Sequence, residues 1–368
     1  MTRASEPSPS PPVRCQARRL PRKRQAIILC TRKESTSYPV TSPPHAVAVC
    51  LPPRLYCDIH AGKRDMTSSR PRRIIAFMNQ KGGVGKTTTT VNLAAAFARA
   101  GRKTLLIDLD PQAHATLHVG IDPAALQTSV YDVLVDDKAD IAGIIRTTRD
   151  NLAVLPALTD LAAAETELAS VPDRQKRLER ALNTLGDAYE FILIDCPPSL
   201  GLLTLNGLAA AREVIIPMQA HFLALQGVGK LLETVALMGQ SLNPKLRVTG
   251  TVLCMHDGNL MHSKEVVADL EGFFDSARDQ ETPWRFARVL RPFIRRNIKL
   301  AECPSFGQTI FEYAPSAPGA ADYRDLADGL IKEWDAMLLR QGITPPAAAA
   351  PETAPEIVVP AQPAAAKA

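Results

Sequence analysis

Within Lys81-Gly82-Gly83-Val84-Gly85-Lys86-Thr87-Thr88, glycines, two lysines and two threonine hydroxyls share eight residues. Glycines let a backbone approach an anion closely, so successive N–H groups and the N-terminus of a following helix can point at a phosphate. Lys86 supplies a point charge for β- and γ-phosphates, and the Thr87 hydroxyl is a hard donor suited to Mg²⁺. The pattern departs from G-x-x-x-x-G-K-[ST] at one position, where Gln80 replaces the first glycine. A second lysine, Lys81, stands inside the loop instead. A nucleotide already neutralised by Mg²⁺, Lys86 and backbone amides has little need of another cation. Lys81 therefore reads as serving a nucleotide in a neighbouring subunit, which points to a homodimer.

Two further segments carry acids at the ends of apolar runs, Leu105 to Gln112 with Asp108 and Asp110, and Phe191 to Pro198 with Asp195. Such runs read as buried parallel strands that deliver carboxylates at their C-terminal edge. The phosphate loop itself lies between the apolar Ile74 to Met78 and the helical pattern Val91 to Ala100. Strand, glycine turn and helix, repeated with other apolar runs, predict an α/β fold: a doubly wound, mostly parallel sheet with helices on both faces. In such a sheet ligands bind at the carboxyl ends of the strands, so the three motifs should converge. Further strands are expected at 152–155, 214–217 and 248–255, and helices at 161–170, 173–185, 223–238 and 320–339. No apolar run approaches the ~20 residues that span a bilayer.

Taken together, Asn79 to Thr88, Asp108-Leu109-Asp110-Pro111-Gln112 and Asp195-Cys196-Pro197-Pro198-Ser199 resemble the ParA/MinD group of deviant-Walker P-loop ATPases. Arg296 to Ser305 and Tyr313-Ala314-Pro315 extend the resemblance toward the ParA, or Soj-like, partitioning branch, over roughly residues 72 to 340. The resemblance implies an ATPase using ATP and Mg²⁺ that forms an ATP-dependent sandwich dimer, with Lys81 crossing to the partner's nucleotide. It implies that Lys81, Gly82, Gly83, Val84, Gly85, Lys86, Thr87 and Thr88 hold the nucleotide and that Asn297 lies at the adenine. Thr87 and Asp195 would hold Mg²⁺, and Asp110 would position the attacking water. It further implies nonspecific DNA binding by the ATP dimer, release on hydrolysis stimulated by a ParB-like activator, and a cytoplasmic, nucleoid-associated location. The alternative is another cargo-positioning regulator ATPase or a MinD-like membrane-cycling one. The latter needs a basic amphipathic C-terminal helix, and this chain ends in Ala and Pro, so no stable membrane association is expected.

The chain departs from the resemblance in three places. Ala113-His114 stands where relatives commonly have Gly-Asn, leaving the loop after Asp110 with a less permissive backbone. Phe293-Ile294-Arg295-Arg296-Asn297 replaces the usual Ile-Pro-Arg-Asn, and Leu225-Gln226-Gly227 replaces Leu-Glu-Gly.

The ends read differently from the middle. Residues 1–65 hold ten prolines, four of the seven cysteines and no sustained period, which predicts a disordered extension. Residues 66–342 form the expected ATPase domain, and 343–368 an Ala/Pro-rich disordered tail. Met66 lies where a ParA-like chain is expected to begin. A chain starting at Met66 is therefore expected to keep ATP binding, turnover and DNA association; insolubility or failed dimerisation on truncation would make the extension integral.

Charge follows the same partition. The extension carries twelve Lys/Arg and four Asp/Glu, +8, so the remainder of a chain with net charge +5 carries −3. The basic balance of the whole chain thus says nothing of DNA binding by the domain. Arg285, Arg288, Arg291, Arg295, Arg296 and Lys299 nevertheless occur without an intervening acid. On spacing alone they read as a solvated face. The resemblance supplies another reading, in which Arg291, Arg295, Arg296 and Lys299 meet DNA phosphates. Cys196, Cys254 and Cys303 are far apart with no C-x-x-C, which suits buried thiols better than a metal site. His114 and His221 lie near motifs and read as packing or loop surface.

Overall fold

The computed structural model describes residues 70–346 apart from Phe222, Leu223 and Asn259; the expected extension and nearly all of the expected tail lie outside the described residues. Eight strands form one sheet: β1 (Arg73–Phe77), β2 (Thr104–Asp108), β3 (Arg146–Arg149), β4 (Leu152–Leu155), β5 (Phe191–Asp195), β6 (Glu213–Met218), β7 (Arg247–Leu253) and β8 (Arg288–Leu290). Their order is β3-β4-β2-β5-β1-β6-β7-β8. All pairings are parallel except β3 with β4. Every residue of β1, β2 and β5 is buried, as continuous Ile/Leu/Val/Phe runs require when helices cover both faces.

One face packs against α1 (Lys86–Arg99), α2 (His114–His118), α10 (Lys299–Glu302), α11 (Ile310–Tyr313) and α12 (Pro318–Arg340). The other carries α3 (Val130–Val135), α4 (Ile141–Ile144), α5 (Ala164–Glu167), α6 (Arg177–Thr184), α7 (Leu202–Ala210), α8 (Ala224–Ser241) and α9 (Met261–Ser276). Phe97 of α1 stacks on Phe191 of β5, with ring centroids 4.4 Å apart, and Trp334 of α12 tilts against the same ring. Because α1 is wedged between sheet and α12, nearly all of it is buried and its sequence is apolar or small around the whole circumference.

The expected helix at 161–170 is instead a 3₁₀ turn, Thr159–Ala163, followed by the single turn of α5. The one expected at 173–185 starts as 3₁₀ before α6, because Asp173 is left-handed at φ 55°. The strand expected to reach Met255 stops at Leu253, and Met255 has φ 51°, which no strand accommodates.

Candidate nucleotide-binding site

The loop after β1 is tied at both ends to neighbouring strands. Asn79 donates through Nδ2 to the Pro217 carbonyl of β6 at 2.8 Å, and its Oδ1 accepts from the Lys81 N–H at 3.0 Å. Gln219, just past β6, donates to the Gly83 carbonyl at 3.2 Å. Gly85 closes the loop at φ 91°, and a Cβ there would lie 3.3 Å from both Cβ and Sγ of Cys254. A side chain at 85 would therefore be strained and crowded together. The first turn of α1 has no side-chain cap, so its leading N–H groups are left for an anion. Lys86 is only 8% exposed, whereas Lys81 is exposed to solvent. Two lysines five residues apart thus occupy opposite environments.

Asp195 ends β5 between the partner positions Phe77 on β1 and Asp108 on β2. Thr87 donates to its Oδ2 at 2.7 Å and Thr90 to its Oδ1 at 3.0 Å. Burial pushes the Asp195 carboxyl up to about 6, against the Thr87 hydrogen bond, the Lys86 charge and Thr90. A cation there would offset the cost of charging it. The adjoining Thr87 hydroxyl and Asp195 carboxylate form a hard-oxygen set that fits Mg²⁺, which takes one or two protein oxygens and fills its shell with water and phosphate. Among the described residues no group of three His, Cys, Asp or Glu could hold a metal. That is compatible with so sparse a protein contribution.

Asp110 is half-buried past the end of β2, and its Oδ1 accepts from the Gln112 N–H at 3.0 Å. Its frame is Asp108, a residue to which the motif alone gives no role. Asp108 is fully buried; Oδ1 accepts from the Asp110 N–H at 3.1 Å, and Oδ2 from both N–H and hydroxyl of Thr116 at 2.8 Å. Burial first, and the Asp195 charge second, push Asp108 up to about 7. The hidden signal was its position two residues before Asp110 in a buried strand, where the side chain must face inward. Thr90 and Thr116 were missed as well, being ordinary helix threonines until the fold places them on these carboxylates.

Beside Gly85 and Thr88 a cavity of about 370 Å³ is walled by Cys254, Ile294, Ile298, Leu300 and Tyr323 and bordered by Asn297. It is largely apolar, and the Asn297 amide nitrogen is buried without a partner. A flat base carrying an acceptor fits both features, as Asn297 at an adenine requires. Thr89 reaches Tyr323 Oη at 3.0 Å and Cys254 Sγ at 3.3 Å behind this wall. All three described cysteines are buried, free thiols.

The basic run is only partly free. Arg295 clamps Asp322, Arg291 pairs with Glu271, Lys299 with Glu302 and Arg288 with Glu333. Among the described residues Arg296 has no carboxylate partner, and Arg285 lies over the Phe286 ring at 4.5 Å.

Comparison with known proteins decides the family. An AAA domain family matches residues 72–248. The sporulation initiation inhibitor protein Soj of Bacillus subtilis is 46% identical over 256 residues, 69% of this chain and 96% of Soj. The chromosome partitioning protein ParA of Myxococcus xanthus is 42% identical over 71% of this chain and 88% of its own length. The chain belongs to the Soj/ParA family of P-loop ATPases. Among solved structures, cobyrinic acid a,c-diamide synthase of Mycobacterium smegmatis with bound ADP and magnesium is 38% identical with TM-score 0.60, covering 72% of this chain and 96% of that one. The cell division ATPase MinD of Pyrococcus furiosus is 26% identical with TM-score 0.56, covering 72% and 100%.

For a Soj/ParA-family chain the departure at residue 113 has a visible consequence. Ala113 takes φ 54°, ψ 30° as the residue before α2, a left-handed conformation that costs an L-residue roughly 1–2 kcal/mol. Alanine keeps the bend that glycine would make freely.

Proposed function

We propose that the chain is an ATP-driven DNA-segregation ATPase that dimerises on ATP, binds DNA without sequence preference and is released when a ParB-like partner stimulates hydrolysis. The observation that carries this reading is the contrast between buried Lys86 and exposed Lys81 in one loop. Lys86, the α1 amides and Thr87 serve the chain's own nucleotide; Lys81 is available to the nucleotide of a second copy. Exposed Leu117, Leu200, Met255, Leu260, Met261 and Ile298 all follow strand carboxyl ends in the chain, which supports placing the dimer surface at that edge of the sheet.

In hydrolysis, positioning and charge stabilisation matter more than covalent help. Thr87 and Asp195 would hold Mg²⁺, which when bound would supply charge neutralisation for the nucleotide's phosphates. Asp110 orients the attacking water, Asp108 fixes Asp110 through its N–H, and the cavity beside Asn297 seats the base.

DNA binding follows the ion-pair pattern. Arg285 and Arg296, which have no carboxylate partners among the described residues, are the first candidates for phosphates, ahead of Arg291, Arg295 and Lys299. Arg285→Ala with Arg296→Ala is expected to weaken DNA binding equally on all sequences and to flatten the log K against log salt slope by about 0.9 for each phosphate left unneutralised. An unchanged slope with nucleotide binding intact would return the run to a solvated face. Arg295→Ala, by contrast, removes the guanidinium from buried Asp322 and leaves it only the Arg295 N–H, and is expected to lower stability.

Among the described residues no helix is long and apolar enough to cross a membrane. Cosedimentation with DNA or with liposomes, in ATP, tests the reading directly: DNA-only pelleting supports it, and liposome-only pelleting would favour a MinD-like cycle.

A further inference from the structure

We infer that Arg149 is a positioning residue for ATP hydrolysis, fixing the far end of α2 so that Asp110 keeps its place over the phosphates. The inference rests on Asp110 being the water-positioning carboxylate. Helix α2 has five residues, too few to persist without tertiary support. Its middle hangs on Asp108 through Thr116. Its far end is held by Arg149: Nη1 donates to the Val119 carbonyl at 2.9 Å, and Nη2 to the Gly307 carbonyl at 3.1 Å. The rest of the fork closes on Glu312, Nε to Oε1 at 2.6 Å and Nη2 to Oε2 at 2.8 Å.

Several features show a built junction. The β3–β4 register shifts between Thr147 and Arg149, the irregularity by which strands re-aim a side chain. Gly307, at φ 62°, meets Gly120 so closely that a Cβ would lie 2.7 Å from the Gly120 Cα. His118 is buried with Nε2 3.5 Å from Cys303 Sγ. Burial opposes charging Glu312, yet the hydrogen bonds and charge of Arg149 hold its carboxyl below the usual range.

The junction also leads back to the nucleotide loop. Glu312 Oε2 accepts from the N–H and hydroxyl of Thr309, the Ile310 N–H donates to Asn92 Oδ1 at 2.9 Å, and Asn92 Nδ2 donates to the Thr88 carbonyl at 2.8 Å. Asp110 is thereby referenced to α1, the helix that carries Lys86 and Thr87, by a path of hydrogen bonds and intervening chain through Arg149. Lysine cannot substitute, since one ammonium does not reproduce the planar fork.

The test compares Arg149→Met, Arg149→Lys and Glu312→Gln with Asp110→Ala in the full chain. ATP affinity, melting, single-turnover hydrolysis at saturating ATP and Mg²⁺, and amide exchange over residues 110–120 are measured. Both Arg149 variants are expected to bind ATP within about twofold of the parent, to exchange faster over 110–120, and to hydrolyse roughly ten- to a hundredfold more slowly. Glu312→Gln, which keeps volume, is expected to slow turnover in the same sense and decides the matter if Arg149→Met does not fold. Parent-like turnover in folded Arg149 variants, with Asp110→Ala inactive, would overturn the positioning role. So would a loss of melting temperature and ATP affinity with turnover unchanged. Normal turnover in Asp110→Ala would instead remove the assignment on which the inference rests.

Discussion

Lys86→Ala is expected to abolish ATP binding, whereas Lys81→Ala leaves a monomer that binds ATP but neither dimerises nor turns over. Lys86 is buried beside the uncapped start of α1 and near Asp195. A charge-assisted hydrogen bond is worth about 1.5–3 kcal/mol, so removing two such bonds to phosphate weakens binding by ~100-fold or more. Lys81 is exposed and its N–H is held by Asn79, so truncating its side chain leaves the loop's shape intact. Equilibrium binding of a fluorescent ATP analogue and size-exclusion profiles with ATP separate the two. A normal ATP dimer in Lys81→Ala would remove the cross-subunit role.

Asp110→Ala is expected to trap the ATP-bound dimer. The substitution removes the carboxylate proposed to orient water but leaves Lys86, Thr87, Asp195 and the α1 amides in place. Turnover should fall by roughly a hundredfold or more while ATP affinity stays near that of the parent. The turn bond from the Gln112 N–H is lost, but the Asp110 N–H still meets Asp108 and its carbonyl still accepts from the Ala113 N–H, so the loop should keep most of its path. Parent-like phosphate release, with or without DNA and activator, would take Asp110 out of the mechanism.

The strands that hold the site were legible because burial on both faces favours uninterrupted apolar runs, as in Phe191-Ile192-Leu193-Ile194 of β5. Edge strands hide from that test. Arg146-Thr147-Thr148-Arg149 of β3 is polar because it closes the sheet antiparallel at its margin, and β8 has three residues. Helix α9 was overlooked although Val266, Leu270 and Phe274 recur at helical spacing and are buried. Motif residues could be read from types and intervals, but their supports could not. Arg295 meets Asp322 across 27 positions and Arg149 meets Glu312 across 163; such partners are chosen by topology, to which local spacing is blind. The same blindness made the run from Arg285 to Lys299 look freer than it is.

The left-handed Ala113 gives the loop after Asp110 a tempo. Relative to glycine, its strain of roughly 1–2 kcal/mol biases the loop away from the shape in which Asp108 holds Asp110 by a factor of about 5–30. With Asp110 in its proposed role of orienting water, Ala113→Gly is therefore expected to shorten the ATP-bound interval, read as faster single-turnover hydrolysis. In the proposed cycle, a partner protein that steadies this one loop would supply what the alanine withholds.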